Sequence, residues 1–332
     1  MRLRERRFQA LGSDCHILAV ETQAERLDAA VAHVLAAHRR FTRFEPESEL
    51  SRFNATAGAW QPISADLEAM LRGALRAWEE TAGLVHAGVL PALMAAGYTR
   101  PLRLGAGVTS PAPGPPLPLP AMLAIEPGRA RLLAGNAIDL GGIAKGWLAD
   151  QLASWLGPNC LVNLGGDLFA RGSGPDGAGW PVGMAGVTLL LSDQGAATSS
   201  SRRRSWFSAG RRQHHLIDPR TGRPSESDLA EVSVIATSAS AAETWAKAGL
   251  LLGSEQAPLT LTGHTLAWWL AGHGNGQRGG QGEAGLTFQS PTRSGRDASR
   301  RSTWCPPEPS TPFAKNPIGL PRDLSRVPQG RA

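Results

Sequence analysis

A chain of 332 residues, 42% of them apolar, is long enough to bury a sizeable core as one large or two modest domains. Its formal charge of +6 is uneven: Arg202 to Arg204, Arg211-Arg212 and an arginine-rich C-terminal stretch supply much of it. No recognition motif and no interleaving of basic with aromatic residues supports a nucleic-acid partner, and a basic mouth for a phosphate-bearing ligand is the more economical reading.

The N-terminus, Met1-Arg-Leu-Arg-Glu-Arg-Arg7, carries the charge of a signal peptide without the apolar run that would follow one. Cys15 to Val20 alternates enough to be a strand. Thr22 to Phe41 reads as a helix with Leu27, Val31, Val34, Leu35 and His38 on one stripe. A second helix runs from Ala65 to Glu80, with Ser64 as N-cap, acids in its first turn and Leu67, Leu71, Leu75 and Trp78 inward. Pro111 to Pro120 is too rich in proline for core strand or helix and reads as a surface loop. Ala137 to Leu140 predicts a short strand running into Gly141-Gly142. A helix opens directly behind, with Leu148, Leu152, Trp155 and Leu156 at helical spacing and Gly157-Pro158 closing it.

Val232 to Thr237 is a further strand, and Thr260 to Leu270 supplies a last one. Residues 272–332 are rich in Gly, Arg, Ser and Pro and carry too little apolar area to offset their ordering entropy, so they are expected to form a disordered tail. Cys15, Cys160 and Cys305 are scattered, odd in number and without metal-ligand spacing, as thiols of a reducing compartment are. No segment approaches the length of a membrane span. Strands and helices come in clusters rather than in steady βαβ alternation, which predicts an α+β fold.

The junction at residues 139–150 carries the most chemistry. A strand–Gly–helix turn exposes backbone N–H groups at the positive end of a helix, where a phosphate can approach closely. Asp139 and Lys145 flank it with an acceptor and a cation. The plainer reading is a tight turn that needs glycine. Further along, adjacent histidines at 214 and 215 would point to opposite faces of a strand, which makes them a poor metal pair. Asp218, ahead of Pro219-Arg-Thr-Gly222, either orients a neighbour or bonds its own turn.

Six segments in register, Phe8-Gln-Ala-Leu-Gly-Ser13, Arg43-Phe-Glu-Pro-Glu-Ser-Glu-Leu-Ser-Arg-Phe-Asn54, the 139–150 junction, Val162-Asn-Leu-Gly-Gly-Asp167, Ala197-Thr-Ser199 and His214 to Pro224, resemble the ApbE family of FAD:protein FMN transferases over roughly residues 6–253. The resemblance implies a two-lobed α+β fold with largely antiparallel sheets and flanking helices, residues 1–271 forming the FAD-binding unit. It implies that FAD is split at its pyrophosphate, that FMN is esterified to a Thr or Ser hydroxyl of an acceptor protein, that AMP leaves, and that Mg²⁺ assists. His215 and Lys145 match catalytic positions. Leu11, Phe44, Leu84, Val85, His86, Asp139, Lys145, His215 and Ile217 match FAD-contacting ones. The Gly142 carbonyl, Glu243 and Lys247 match metal-ligand positions, although Lys247 places an ammonium where the family has a hydroxyl.

Two other departures are Gly83-Leu-Val-His-Ala87, which lacks the family's Asp-Pro, and Arg202 to Arg204, which replace an acidic stretch. Ser240-Ala-Ala-Glu243 also has the form of a capping box, so ligation and capping both stay open for Glu243. An FAD pyrophosphatase and a flavin-binding protein without turnover are the alternatives. Many relatives are exported lipoproteins. This chain starts almost directly on the first family motif, which places it in the cytoplasm.

Overall fold

The computed structural model describes residues 2–281 apart from 209, 275 and 276. Its centre is an eight-stranded sheet: β1 Leu3–Ala10, β2 Ser13–Val20, β3 Cys160–Leu164, β4 Leu168–Arg171, β5 Gln194–Ser200, β6 Leu229–Ala236, β7 Ala267–Gly272 and β8 Gln277–Gln281. Spatial order follows chain order and every neighbouring pair is antiparallel. The period-two rule is visible in β2, where Ile17 and Ala19 join one core and Leu18 and Val20 the other. A hairpin of Trp180–Met184 and Val187–Leu191 covers the second face.

The first face is covered by helices. Between β2 and β3 the chain makes its long excursion, which forms the second lobe: α1 (Ala24–Phe41), α2 (Glu49–Ala55), α3 (Ala65–Glu80), a three-stranded sheet of residues 61–62, 123–126 and 129–132, and α4 (Ala144–Leu156). A fifth helix, α5 (Ala239–His264), joins β6 to β7 and bends at Gly253, whose φ of 78° is not helical. Ser64 caps α3, its hydroxyl accepting the Leu67 N–H at 3.2 Å.

Four expectations need correction. Residues 137–140 are extended but belong to no sheet. In place of a ladder, the Asn54 side chain accepts the Ile138 N–H and donates to the Ile138 carbonyl, both at 2.9 Å, and the Asp139 N–H bonds the Ala87 carbonyl. Residues 260–264 are the end of α5, so the last run of the predicted 260–270 strand begins only at Ala267. Trp155 lies on the outer face of α4, 44% exposed, with the Arg26 guanidinium over its ring. The folded unit also runs past 271, because β8 pairs with β7. The rest of the expected tail, 282–332, lies outside the described residues. Among the described residues no helix is long and apolar enough to cross a membrane.

Candidate functional site

The 139–142 turn leads into α4, and segments far apart in the chain meet around this junction. Lys145, in the first turn of α4, is ion-paired with Asp167 from the β3–β4 turn and lies 3.9 Å from Glu243 of α5. The Gly146 N–H, one of the orphan donors of the first turn of α4, is satisfied by Glu243 Oε2 at 2.8 Å. In return Asp150 of α4 accepts the Ala239 and Ser240 N–H groups at the start of α5, at 2.7 and 3.0 Å, and the Ser240 hydroxyl at 2.7 Å. Each helix thus supplies a carboxylate to the other's N-terminus. Gly146 permits this closeness: a Cβ there would lie 2.7 Å from the Ala239 carbonyl oxygen and 2.8 Å from Ser240 Cα.

This overturns the capping-box reading of Ser240 and Glu243. The helix starts two residues earlier, with Ser238 as N-cap accepting the Ala241 N–H at 3.0 Å, so the Ser240 hydroxyl and Glu243 are free to face α4. Burial, and then the Asp167 carboxylate, push Glu243 up to about 7 against the pull of Lys145, Lys247 and the Gly146 N–H.

One turn along α5, Lys247 reaches back to the glycine pair. A Cβ on Gly142 would fall on the Lys247 ammonium. His215 follows the strand Arg211–His214, and its N–H donates to the Arg204 carbonyl at 3.2 Å. Its Nδ1 is buried without a hydrogen-bond partner. Burial, reinforced by Arg204, Lys247, His214 and Lys145, holds it well below the ordinary histidine range, so the ring is neutral near pH 7. Arg204 donates to the Ser13 hydroxyl at 3.1 Å and to the Leu11 carbonyl at 3.4 Å. Leu11 itself turns from β1 to β2 at a φ of 56° and packs on the edge of the main core.

On the other side of Asp139 stands Arg43. Its side chain is only 6% exposed, with Nε 3.7 Å from Asp139 Oδ1. The guanidinium lies over the rings of Phe44 and Tyr98, at 4.2 and 4.5 Å, and Nη2 has no partner. Tyr98 in turn stacks obliquely on Trp206, which makes a wall of three aromatics.

Of the residues singled out from the sequence, Asp139, Gly142, Lys145, His215, Glu243 and Lys247 converge here, with Leu11 and Phe44 at the rim. The 84–86 segment runs beside Asp139, but Val85 is in the core and both His86 ring nitrogens are bonded within the protein, to Gly88 N and Leu117 O. Backbone and Leu84 are what it can offer a ligand. Ile217 is buried with Leu93 and Trp206. His214 and Asp218 are structural: the His214 ring contacts the Ser225 carbonyl, and Asp218 holds its own turn and Arg220. Arg43, Tyr98, Asp167 and Arg204 are the additions. Of these only Asp167 had a local signal, an acid directly after a Gly-Gly strand turn.

A divalent cation does not fit this donor set. The expected ligands are the Gly142 carbonyl, Glu243 and residue 247. Glu243 is already bonded to Gly146, and residue 247 fills the face of Gly142 with a positive charge. At ~4 Å and an effective dielectric of ~20, an ammonium repels a divalent ion by roughly 8 kcal/mol. Among the described residues no group of three or more His, Cys, Asp or Glu is placed to hold a metal.

The architecture is therefore that of an antiparallel α+β protein with Lys145 and Lys247 at a helix N-terminus and a buried neutral imidazole beside them. The chain belongs to the ApbE family, whose sequence profile matches residues 11–267. It is 28% identical over 236 residues to the FAD:protein FMN transferase of Salmonella typhimurium, covering 64% of this chain and 67% of that one. It is 27% identical over 286 residues to that of Haemophilus influenzae, covering 75% and 78%. The crystal structure of the ApbE protein from Thermotoga maritima superposes with a TM-score of 0.75 at 23% identity, over 85% of this chain and 97% of that one.

Proposed function

We propose that this chain transfers FMN from FAD to a Thr or Ser hydroxyl of an acceptor protein and releases AMP. The observation that carries it is the convergence of Asp139, Lys145 and His215 on the N-terminus of α4, in a chain whose curated relatives bear the name FAD:protein FMN transferase. In the proposed reaction the acceptor oxygen attacks the FMN-side phosphorus. The bond from that phosphorus to the bridging oxygen breaks, and AMP leaves with that oxygen. The proton lost by the hydroxyl passes to His215, whose buried, unpartnered and neutral imidazole suits a general base. Lys145, held in place by Asp167, faces the developing charge on the non-bridging oxygens. Asp139 and the Phe44–Tyr98 wall hold the nucleoside and ring portions of the dinucleotide.

Mg²⁺, which the resemblance implies, is assigned no step, because Lys247 stands where a ligand should. We place the protein in the cytoplasm, supported by the free, buried Cys15 and Cys160; cell fractionation tests this.

The test is incubation of the purified chain with FAD and an extract of its host lacking this gene. Covalent flavin is read as fluorescent bands on a denaturing gel, and AMP by chromatography. The reading predicts both, and loss of both with His215→Ala. Free FMN and AMP without labelled protein would instead mark a pyrophosphatase, and flavin binding without either product a protein lacking turnover.

A further inference from the structure

We infer that Lys247 is a built-in counter-cation for the pyrophosphate, so that the site takes up FAD in its metal-free form. The inference rests on the flavin reading above and departs from the family's use of a divalent ion.

Three observations carry it. First, the Lys247 ammonium lies directly on Gly142, at the turn that leads into the positive end of α4. Any side chain at 142 would displace it, so the glycine and the lysine form one device. Second, that ammonium has no contact partner, although the Glu243, Asp139 and Asp167 carboxylates act on it from further off. Lys145 is paired with Asp167, whereas among the described residues no carboxylate oxygen lies within 4.0 Å of Lys247 Nζ. Glu243, four residues earlier on the same helix, turns its carboxylate to Gly146 and Lys145 instead. A half-buried cation without a contact partner is completed by an anion from outside.

Third, a separate segment adds charge of the same sign. Arg204 comes from the basic stretch 202–204 and reaches Ser13 and Leu11. Arg204, Lys247 and Lys145 all act on His215, which places three cations around one imidazole. Two unrelated parts of the chain thus bring cations to the same turn, alongside the carboxylates of Asp139, Asp167 and Glu243. Such a site repels a free divalent ion and attracts a dinucleotide that has lost its own. Lysine suits the task because its compact ammonium binds phosphate as a point charge.

The experiment is a flavin-fluorescence titration of the full-length protein with FAD, and in parallel with riboflavin, which has no phosphate. Each is run in EDTA and in excess MgCl₂, for the native chain, Lys247→Met and Lys247→Arg. A charge-assisted contact is worth ~10- to 100-fold in affinity. The native chain is expected to bind FAD within about twofold equally in both conditions. Lys247→Met is expected to lose at least ~10-fold for FAD and little for riboflavin, with Lys247→Arg recovering most of the loss. Riboflavin binding by each variant reports that the site is folded. FAD binding that is tenfold tighter with Mg²⁺, or Lys247→Met binding FAD as the native chain does in EDTA, would overturn the inference and leave the flavin reading standing. A native chain that binds neither flavin under either condition would overturn both.

Discussion

Asp139 shows how much one side chain can organise. Its backbone N–H bonds Ala87, its carboxylate faces the buried Arg43, and the glycine pair follows at once. Replacing it by alanine is expected to weaken FAD binding by ~10-fold or more, the worth of a hydrogen bond to a charged group, and to lower the thermal midpoint, because the buried Arg43 loses its counter-charge. Equal affinity in fluorescence titration would remove Asp139 from the site. The cysteines give a second test at this scale. Burial pushes Cys15 up to about 11 and Cys160 up to about 12, so neither supplies thiolate at pH 8. Peptide mapping after iodoacetamide treatment of the folded protein should find both unmodified, and both modified in denaturant. Asp139 and Lys145 were legible from sequence because strand, glycines and helix follow one another within twelve residues. Arg43 and Tyr98 were not, since their contacts to Asp139, Trp206 and each other span fifty or more positions, and Arg204 was legible only as one of a basic run.

Among the elements, the α4–α5 pair governs the site. Reciprocal carboxylates, Glu243 to α4 and Asp150 to α5, fix how closely the two N-termini approach, and Lys145 and Lys247 ride on that spacing. Asp150→Ala deletes three hydrogen bonds at the start of α5 and is expected to cost ~2–3 kcal/mol in urea unfolding. Gly146→Ala forces a methyl into the Ala239–Ser240 backbone and should cost ~1–3 kcal/mol, with weaker FAD binding as the helices part. Unchanged stability in either variant would contradict the packing described. The helices themselves were readable from periodicity and caps. Their mutual capping was not, because Ser240 and Glu243 imitate a local capping box while their real partners lie some ninety residues earlier. The extended segment at 137–140 misled for a related reason: an asparagine side chain does the work of a neighbouring strand.

For the molecule as a whole, the eight-stranded sheet keeps its strands in chain order although residues 21–159 intervene between β2 and β3, and that order was only partly legible. β2 and β6 could be read as strands, whereas the charge-dense β1 gave no strand signal. Burial also sets the pH response. His16, His38, His86, His214 and His215 are all held below the ordinary histidine range, chiefly by desolvation. Unfolding of these rings therefore takes up protons, against the one released by Glu243, whose carboxyl burial raises to about 7. The stability these rings contribute is complete above their unfolded pKa of ~6.5 and is lost as pH falls through their lower folded values. Thermal midpoints should decline from pH 7.5 to 5.5, and a midpoint that rises over that interval would contradict the burial of these rings.

The most direct test of the account is a crystal structure of the full chain with FAD, grown with MgCl₂ present. The account predicts the pyrophosphate seated on the Gly141-Gly142 turn, with Lys145 and Lys247 in contact with its oxygens and His215 beside the FMN-side phosphorus. FAD bound elsewhere, or a magnesium ion bridging Glu243 and the Gly142 carbonyl with Lys247 swung away, would contradict it.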